Sequence, residues 1–102
     1  MTKAEDNRMD LPVAKHVIVH GRVQGVGFRY FVQRIGARLD LTGDVRNLPD
    51  STVEIVVEGS AEKIEEFIRE VSRGPSLSRV ERVDVHDMTA GGRYGSFLVE
   101  GW

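Results

Sequence analysis

The order in which two kinds of hydrophobic pattern follow one another constrains the fold of this chain more than any other feature. In some segments apolar and β-branched residues alternate or cluster, which is typical of strands. In two others apolar residues recur every three or four positions, which is typical of one face of an amphipathic helix. The predicted strands cover residues 13–23, 42–47, 52–58, 80–85 and 97–99, and the helical patterns cover residues 28–39 and 64–71.

This order of segments is β-α-β-β-α-β with one late short strand, and it is the order of ferredoxin-like folds. We therefore predict an α+β protein, a two-layer sandwich in which two helices cover one face of a mainly antiparallel sheet with an additional fifth strand. A length of 102 residues fits one domain, which we place at residues 13–102. Residues 1–12 mix charges and lack the apolar stretch of a secretory leader, so a polar, mobile tail is predicted there.

Composition excludes several classes of function. The sequence has no cysteine, so disulfides, cysteine zinc sites and a thiol nucleophile are excluded. The absence of cysteine is compatible with a reducing cytosol, and a cytoplasmic location is predicted. The 14 Lys and Arg against 16 Asp and Glu give a net charge of −2, which argues against a general nucleic-acid or membrane-surface binder. No apolar run approaches the roughly 20 residues that a transmembrane helix needs. Because the fold supports many activities, function has to be inferred from a site.

The most informative segment joins the first strand to the first helix and reads VHGRVQGVGFR over residues 19–29. Gly21, Gly25 and Gly27 allow the backbone to gather successive N–H groups into an anion-binding concavity, next to the positive N-terminal end of the helix. Arg29 falls in the first helical turn, where a cation costs a few tenths to about 1 kcal/mol unless an anion offsets it. Glycine content alone is equally compatible with a strand–helix turn that carries a surface arginine.

Two common phosphate-binding patterns are absent, because the chain has no Walker sequence and Tyr30 stands where the dinucleotide fingerprint needs glycine. The segment 19–29 instead resembles the first signature of the acylphosphatase family, and a later segment resembles the second. The matching residues are Val19, Gly21, Val23, Gln24, Gly25, Val26, Phe28 and Arg29 in the first signature, and Gly43, Asn47, Val53 and Gly59 in the second. The resemblance covers residues 14–99, which is nearly the whole predicted domain.

The resemblance implies the same βαββαβ fold and an enzyme that hydrolyses the carboxyl–phosphate anhydride of acyl phosphates. It implies that Arg29 and the backbone amides of the loop hold the phosphoryl group, while Asn47 orients the attacking water. The loop residues expected to contribute are Val23, Gln24, Gly25, Val26, Gly27 and Phe28. No metal or other cofactor is expected. The expected partners are a small-molecule acyl phosphate as substrate and inorganic phosphate as product and competitive inhibitor, and a monomer is expected.

Three positions depart from the family pattern. Asp44 replaces an aromatic residue, and strand alternation places it with Arg46 on the helix-free face, where it is expected to change the open sheet surface rather than the site. Ser51 replaces a glycine and is expected to alter the geometry of its turn slightly. The ending Gly101-Trp102 also differs from that of the family, so no role is assigned to the C-terminus.

Three competing functions fit the same fold. The first is a non-catalytic module that binds an anion or a phosphoprotein, and the pair of Arg29 and Asn47 argues against it. The second is the acylphosphatase-like domain of a hydrogenase maturation protein. It is disfavoured because the sequence ends at Trp102, so a free-standing enzyme is expected. The third is an RNA-binding domain, for which the chain lacks both the basic charge and a pattern of exposed strand aromatics.

Other residues near the loop are assigned structural roles. For Gln24 we predict hydrogen bonds that brace the loop rather than contact with substrate. Phe28 and Phe31 have the helical spacing of core residues, so packing is favoured over base stacking. His20 is expected to be a strand-end residue near solvent.

Overall fold

The computed structural model describes residues 11–101. Within that range five strands and two helices confirm the predicted α+β sandwich and its element order. The strands are β1 Val13–Arg22, β2 Thr42–Asn47, β3 Val53–Gly59, β4 Arg79–Met88 and β5 Phe97–Val99, and the helices are α1 Phe28–Arg38 and α2 Ala61–Arg73. Most of the predicted N-terminal tail, residues 1–10, lies outside the described range, so the division into tail and domain stays a prediction.

The sheet has the strand order β4-β1-β3-β2-β5. β5 lies parallel to β2 and all other neighbours are antiparallel, so the sheet is mainly antiparallel, as predicted. β3 lies at the centre, and its residue Val53 is the register partner of both Val19 and Asn47. The end of β1 that leads into the glycine-rich loop and the end of β2 that carries Asn47 therefore meet at the same end of the sheet.

The hydrophobic core lies between the sheet and the two helices. Alternate residues of the central strands point into it, and the apolar stripes of the helices pack against them. The fully buried side chains include Val17, Val19, Val45, Val53, Ile55 and Val57 from the sheet and Phe28, Val32, Ile64 and Phe67 from the helices. Burial of a side chain such as Phe28 stabilises the fold by about 1.5–3 kcal/mol. Phe28 is therefore a core residue, as predicted, and it anchors the first turn of α1 on the sheet.

The expectation that Asp44 lies on an open sheet surface is wrong. Asp44 lies on the helix-free face, as predicted, because it alternates with the core residue Val45. It does not belong to an open surface, since only 4% of the residue is exposed. Arg46 donates a hydrogen bond to its carboxylate at 2.9 Å, and burial together with the charge of Asp44 raises the pKa of Tyr94. The chain between β4 and β5 thus covers Asp44, which strand alternation alone does not reveal.

Candidate active site

The glycine-rich loop joins β1 to α1 through left-handed backbone conformations. Gly25 and Gly27 have φ angles of 73° and 75°, in a region that residues with a side chain adopt only at a cost. Gly27 is the N-cap of α1, which receives no side-chain capping bond from the described residues and has no acidic residue in its first turn. Because the first N–H groups of a helix have no intrahelical partners, this helix end is suited to bind an anion.

Two adjoining hollows open beside this loop. The larger hollow, of about 450 Å³, lies between the loop, the β2–β3 turn and the C-terminal segment, and its lining includes Gln24, Leu48 and Glu100. The smaller hollow, of about 130 Å³, is lined mainly by the loop and the first turn of α1. Arg29 and Asn47 line both hollows. The fold therefore brings together the two side chains to which the sequence resemblance assigned the chemistry.

The predicted loop residues lie around these hollows with one exception. Val23, Gly25, Gly27 and Phe28 line the smaller hollow, and Gln24 lines the larger one. Val26 lines neither hollow and packs, partly buried, against the core. The side chains of Val23 and Phe28 are buried in the core, so these two residues are suited to contact a ligand through their main-chain atoms.

Arg29 is oriented by the C-terminal segment. Its Nη1 donates a hydrogen bond to the carbonyl oxygen of Glu100 at 2.7 Å. Glu100 reaches this position because its own N–H donates to the carbonyl of Val45 at 2.9 Å, which continues the pairing of β5 with β2. No role for the C-terminus was expected from the sequence, whereas Glu100 and Gly101 line the larger hollow. Trp102 lies outside the described residues.

Asn47 ends β2 on the helix-covered side of the sheet, the same side as Val45. Its carboxamide oxygen is buried and accepts no hydrogen bond from the described residues. A buried acceptor without a donor costs about 1–3 kcal/mol, so native proteins retain such atoms where a water, an ion or a functional role accounts for them. Asn47 lines both hollows, so its carboxamide lies beside the space that a bound water or ligand would occupy.

Gln24 braces the loop against the β2–β3 turn. Its carboxamide nitrogen donates hydrogen bonds to the carbonyl oxygens of Leu48 and Thr52, each at 2.8 Å. His20 points elsewhere, since its Nε2 lies 2.9 Å from a carboxylate oxygen of Asp84 on β4. His20 lines neither hollow.

The β2–β3 turn contains a strained residue at Ser51. Its φ of 77° is in the left-handed region, which costs a residue with a side chain about 1–2 kcal/mol. Glycine adopts this conformation freely but loses about 0.4–1 kcal/mol through the greater freedom of the unfolded chain. We therefore predict that Ser51→Gly raises the free energy of unfolding by about 0.5–1 kcal/mol, as measured by urea denaturation.

Ser76→Gly is the matched control for this prediction. Ser76 is exposed like Ser51 but is not among the described residues with positive φ, so its replacement should lower the free energy of unfolding. A Ser51→Gly protein that unfolds at the same urea concentration as the Ser76→Gly protein would show that Ser51 carries no strain.

The described residues offer the site a guanidinium, a carboxamide and main-chain N–H groups. In residues 11–101, no group of three or more His, Cys, Asp or Glu side chains is placed to hold a metal ion. The same part of the chain contains no helix that is both long and apolar enough to cross a membrane.

Comparisons with known proteins bear on the family and the fold of this chain. The family model described as Acylphosphatase matches residues 15–99. An acylphosphatase from Methylococcus capsulatus is 48% identical over 84 residues, which are 82% of this chain and 91% of that relative. The crystal structure of acylphosphatase from Bacillus subtilis has a TM-score of 0.84 at 36% identity and covers 87% of this chain and 99% of its own.

A longer protein contains a similar unit. The structure of HypF from T. kodakarensis has a TM-score of 0.77 at 41% identity, and the match covers 87% of this chain but 12% of that one. The Methylococcus and Bacillus proteins, in contrast, are matched over nearly their whole length. The family model spans β1 to β5, and the Methylococcus relative is 48% identical over 82% of this chain. The chain therefore belongs to the acylphosphatase family.

Proposed function

We propose that this protein hydrolyses small acyl phosphates to a carboxylate and inorganic phosphate. The observation that carries the proposal is that Arg29 and Asn47 line the same two hollows, beside the N-terminus of α1. Relatives that carry the name acylphosphatase support it. A helix N-terminus and an arginine both favour a phosphoryl group, and a carboxamide adds a group that is suited to hold water.

The phosphoryl group binds at the smaller hollow in this proposal. Main-chain N–H groups between Val23 and Phe28 donate to its oxygens, together with the guanidinium of Arg29. Phosphoryl transfer has a loose transition state whose negative charge is spread over these oxygens. Donors that are fixed by the fold stabilise this charge without having to reorganise during the reaction. Phe28 contributes by anchoring the turn in the core, because the residue is only 1% exposed.

Asn47 orients the nucleophile. A water that donates a hydrogen bond to the carboxamide oxygen satisfies the buried acceptor and presents its lone pair to phosphorus. The new bond joins the water oxygen to phosphorus, and the bond between phosphorus and the acyl oxygen breaks. The carboxylate leaves with the bonding electron pair, and the water protons pass to phosphate oxygens and solvent. A carboxylate is a weak base, so it leaves without a proton from a general acid.

We also propose that the reaction needs no metal, since Arg29 and the amides supply the positive charge. Hydrolysis of benzoyl phosphate, followed by its loss of ultraviolet absorbance, is expected to keep the same kcat in excess EDTA. Added Mg²⁺ is not expected to raise it. A loss of activity in EDTA that Zn²⁺ or Mg²⁺ restores would contradict this part of the proposal.

The same assay separates an enzyme from a module that only binds anions. An enzyme converts benzoyl phosphate over many turnovers, and inorganic phosphate inhibits it competitively because it occupies the phosphoryl position. A binding module takes up phosphate, detected by calorimetry, without accelerating hydrolysis. Phosphate binding by the folded protein without turnover would therefore replace our proposal with the binding function.

A further inference from the structure

We propose that Gln24 is a positioning residue, whose carboxamide sets the orientation of Asn47 by bracing the turn that follows it. The inference rests on the proposed function, because it concerns the group that orients water. In this inference the side chain of Gln24 acts on the β2–β3 turn, in addition to its place in the loop that surrounds the phosphoryl group.

The contacts of Gln24 span the opening of the β2–β3 turn. A carboxamide nitrogen carries two hydrogens, and Gln24 Nε2 donates to two carbonyl oxygens, those of Leu48 and Thr52. Leu48 follows Asn47 directly, and Thr52 precedes Val53, the register partner of Asn47. One side chain from the glycine-rich loop therefore holds both ends of the turn beside Asn47.

Within residues 11–101, the other hydrogen bonds of residues 48–52 join residues of the turn to one another. Leu48 N–H donates to Thr52 O at 2.9 Å, and Ser51 N–H donates to Leu48 O at 3.2 Å. The carboxylate of Asp50 accepts from Thr52 N–H at 3.1 Å. These bonds shape the turn, whereas the two bonds from Gln24 connect it directly to the glycine-rich loop. Ser51 adds a strained φ of 77°, so the turn needs outside support to stay in this conformation.

Asn47 depends on this support because its own carboxamide oxygen is not held by a described donor. The direction of the Asn47 side chain depends on the backbone at the end of β2, where the turn begins. A displacement of about 1 Å at a group that positions a reactant can lower a rate about 100-fold. The link from Gln24 through the turn to Asn47 is therefore short enough to control the position of the attacking water.

The test uses Gln24→Met, which keeps the length of the side chain and removes both donors. The variant is expected to fold, because Leu48 O and Thr52 O each keep a backbone donor and Gln24 is only partly buried. Gln33→Met is the matched control. Gln33 on α1 also donates from its carboxamide to a backbone carbonyl, that of Phe97 at 3.1 Å, but it lines neither hollow.

The first measurement is a double-mutant cycle on kcat for benzoyl phosphate. Gln24→Met is expected to lower kcat about 10- to 100-fold in the wild-type background and less than about 2-fold in the Asn47→Ala background. The inhibition constant of inorganic phosphate is expected to change less than about 3-fold. Gln33→Met should leave kcat unchanged. An equal loss in both backgrounds, or no loss in either, would overturn the positioning role while leaving the proposed function standing.

The second measurement does not depend on hydrolysis. The side-chain amide signals of Asn47 in a ¹⁵N–¹H correlation spectrum are expected to move in Gln24→Met and to stay in place in Gln33→Met. Unchanged Asn47 signals in Gln24→Met would overturn the inference even in a protein without turnover. If only the proposed function fails, the Asn47 signals still move in Gln24→Met, but the wild-type protein does not hydrolyse benzoyl phosphate.

Discussion

Arg29→Ala is expected to abolish measurable phosphate binding and to lower kcat/KM for benzoyl phosphate by about 10³-fold or more. Loss of one preorganised neutral donor typically costs about 10²–10³ in rate, and Arg29 supplies a charged donor pair that matches two phosphoryl oxygens. The backbone amides remain, but they carry partial charges only. Steady-state hydrolysis and phosphate calorimetry on the same sample measure the two losses.

Arg34→Ala controls for the removal of a positive charge from α1. Arg34 lies on the exposed side of the same helix and lines neither hollow, so its replacement should leave both measurements unchanged. Arg29 also donates to Glu100 O, so urea denaturation of Arg29→Ala has to show that the variant is folded under assay conditions. Turnover near the wild-type value in a folded Arg29→Ala protein would remove Arg29 from the mechanism.

Asn47→Ala is expected to separate turnover from phosphate binding. We predict a fall in kcat of about 10²–10³, with a change of less than about 3-fold in the inhibition constant of phosphate, because Asn47 acts on water rather than on the phosphoryl group. The free energy of unfolding should stay the same or rise, since the replacement removes a buried oxygen that accepts no bond from the described residues.

Asn47→Asp sharpens this prediction. The carboxylate still accepts a hydrogen bond from water, but its negative charge repels the phosphoryl group, so both kcat and phosphate affinity should fall. Equal losses of kcat and of phosphate affinity in Asn47→Ala would mean that Asn47 holds the phosphoryl group instead of the water.

The sequence is sufficient to predict the layers of this fold because each element carries its own periodicity. The alternation over β3 and the helical spacing of Phe28 and Val32 report burial directly, and the structure confirms both. The order of the strands in the sheet, in contrast, cannot be predicted from the periodicity of single segments. That Val53 faces both Val19 and Asn47 depends on the pairing of three strands, and this pairing is what brings the loop to Asn47. The family signature, rather than periodicity, indicated these two segments as parts of one site.

The features that sequence reasoning missed all depend on contacts between distant residues. The bond between Arg29 and Glu100 joins positions 71 residues apart, and no local pattern marks Glu100 as part of a site. Asp44 is buried by a segment whose path over the sheet cannot be read from strand alternation. β4 extends to Met88, beyond the predicted end at residue 85, because its last residues pair with β1. His86 and Asp87 are polar and exposed, so they interrupt the apolar pattern.

The most direct test of water attack at phosphorus is hydrolysis of benzoyl phosphate in H₂¹⁸O with excess EDTA. Mass spectrometry of both products then locates the label. We predict rapid hydrolysis with ¹⁸O in inorganic phosphate and none in benzoate, because the bond that breaks joins phosphorus to the acyl oxygen. Label in benzoate would show attack at the carbonyl carbon. A rate no greater than that of the uncatalysed reaction would contradict the proposed function itself.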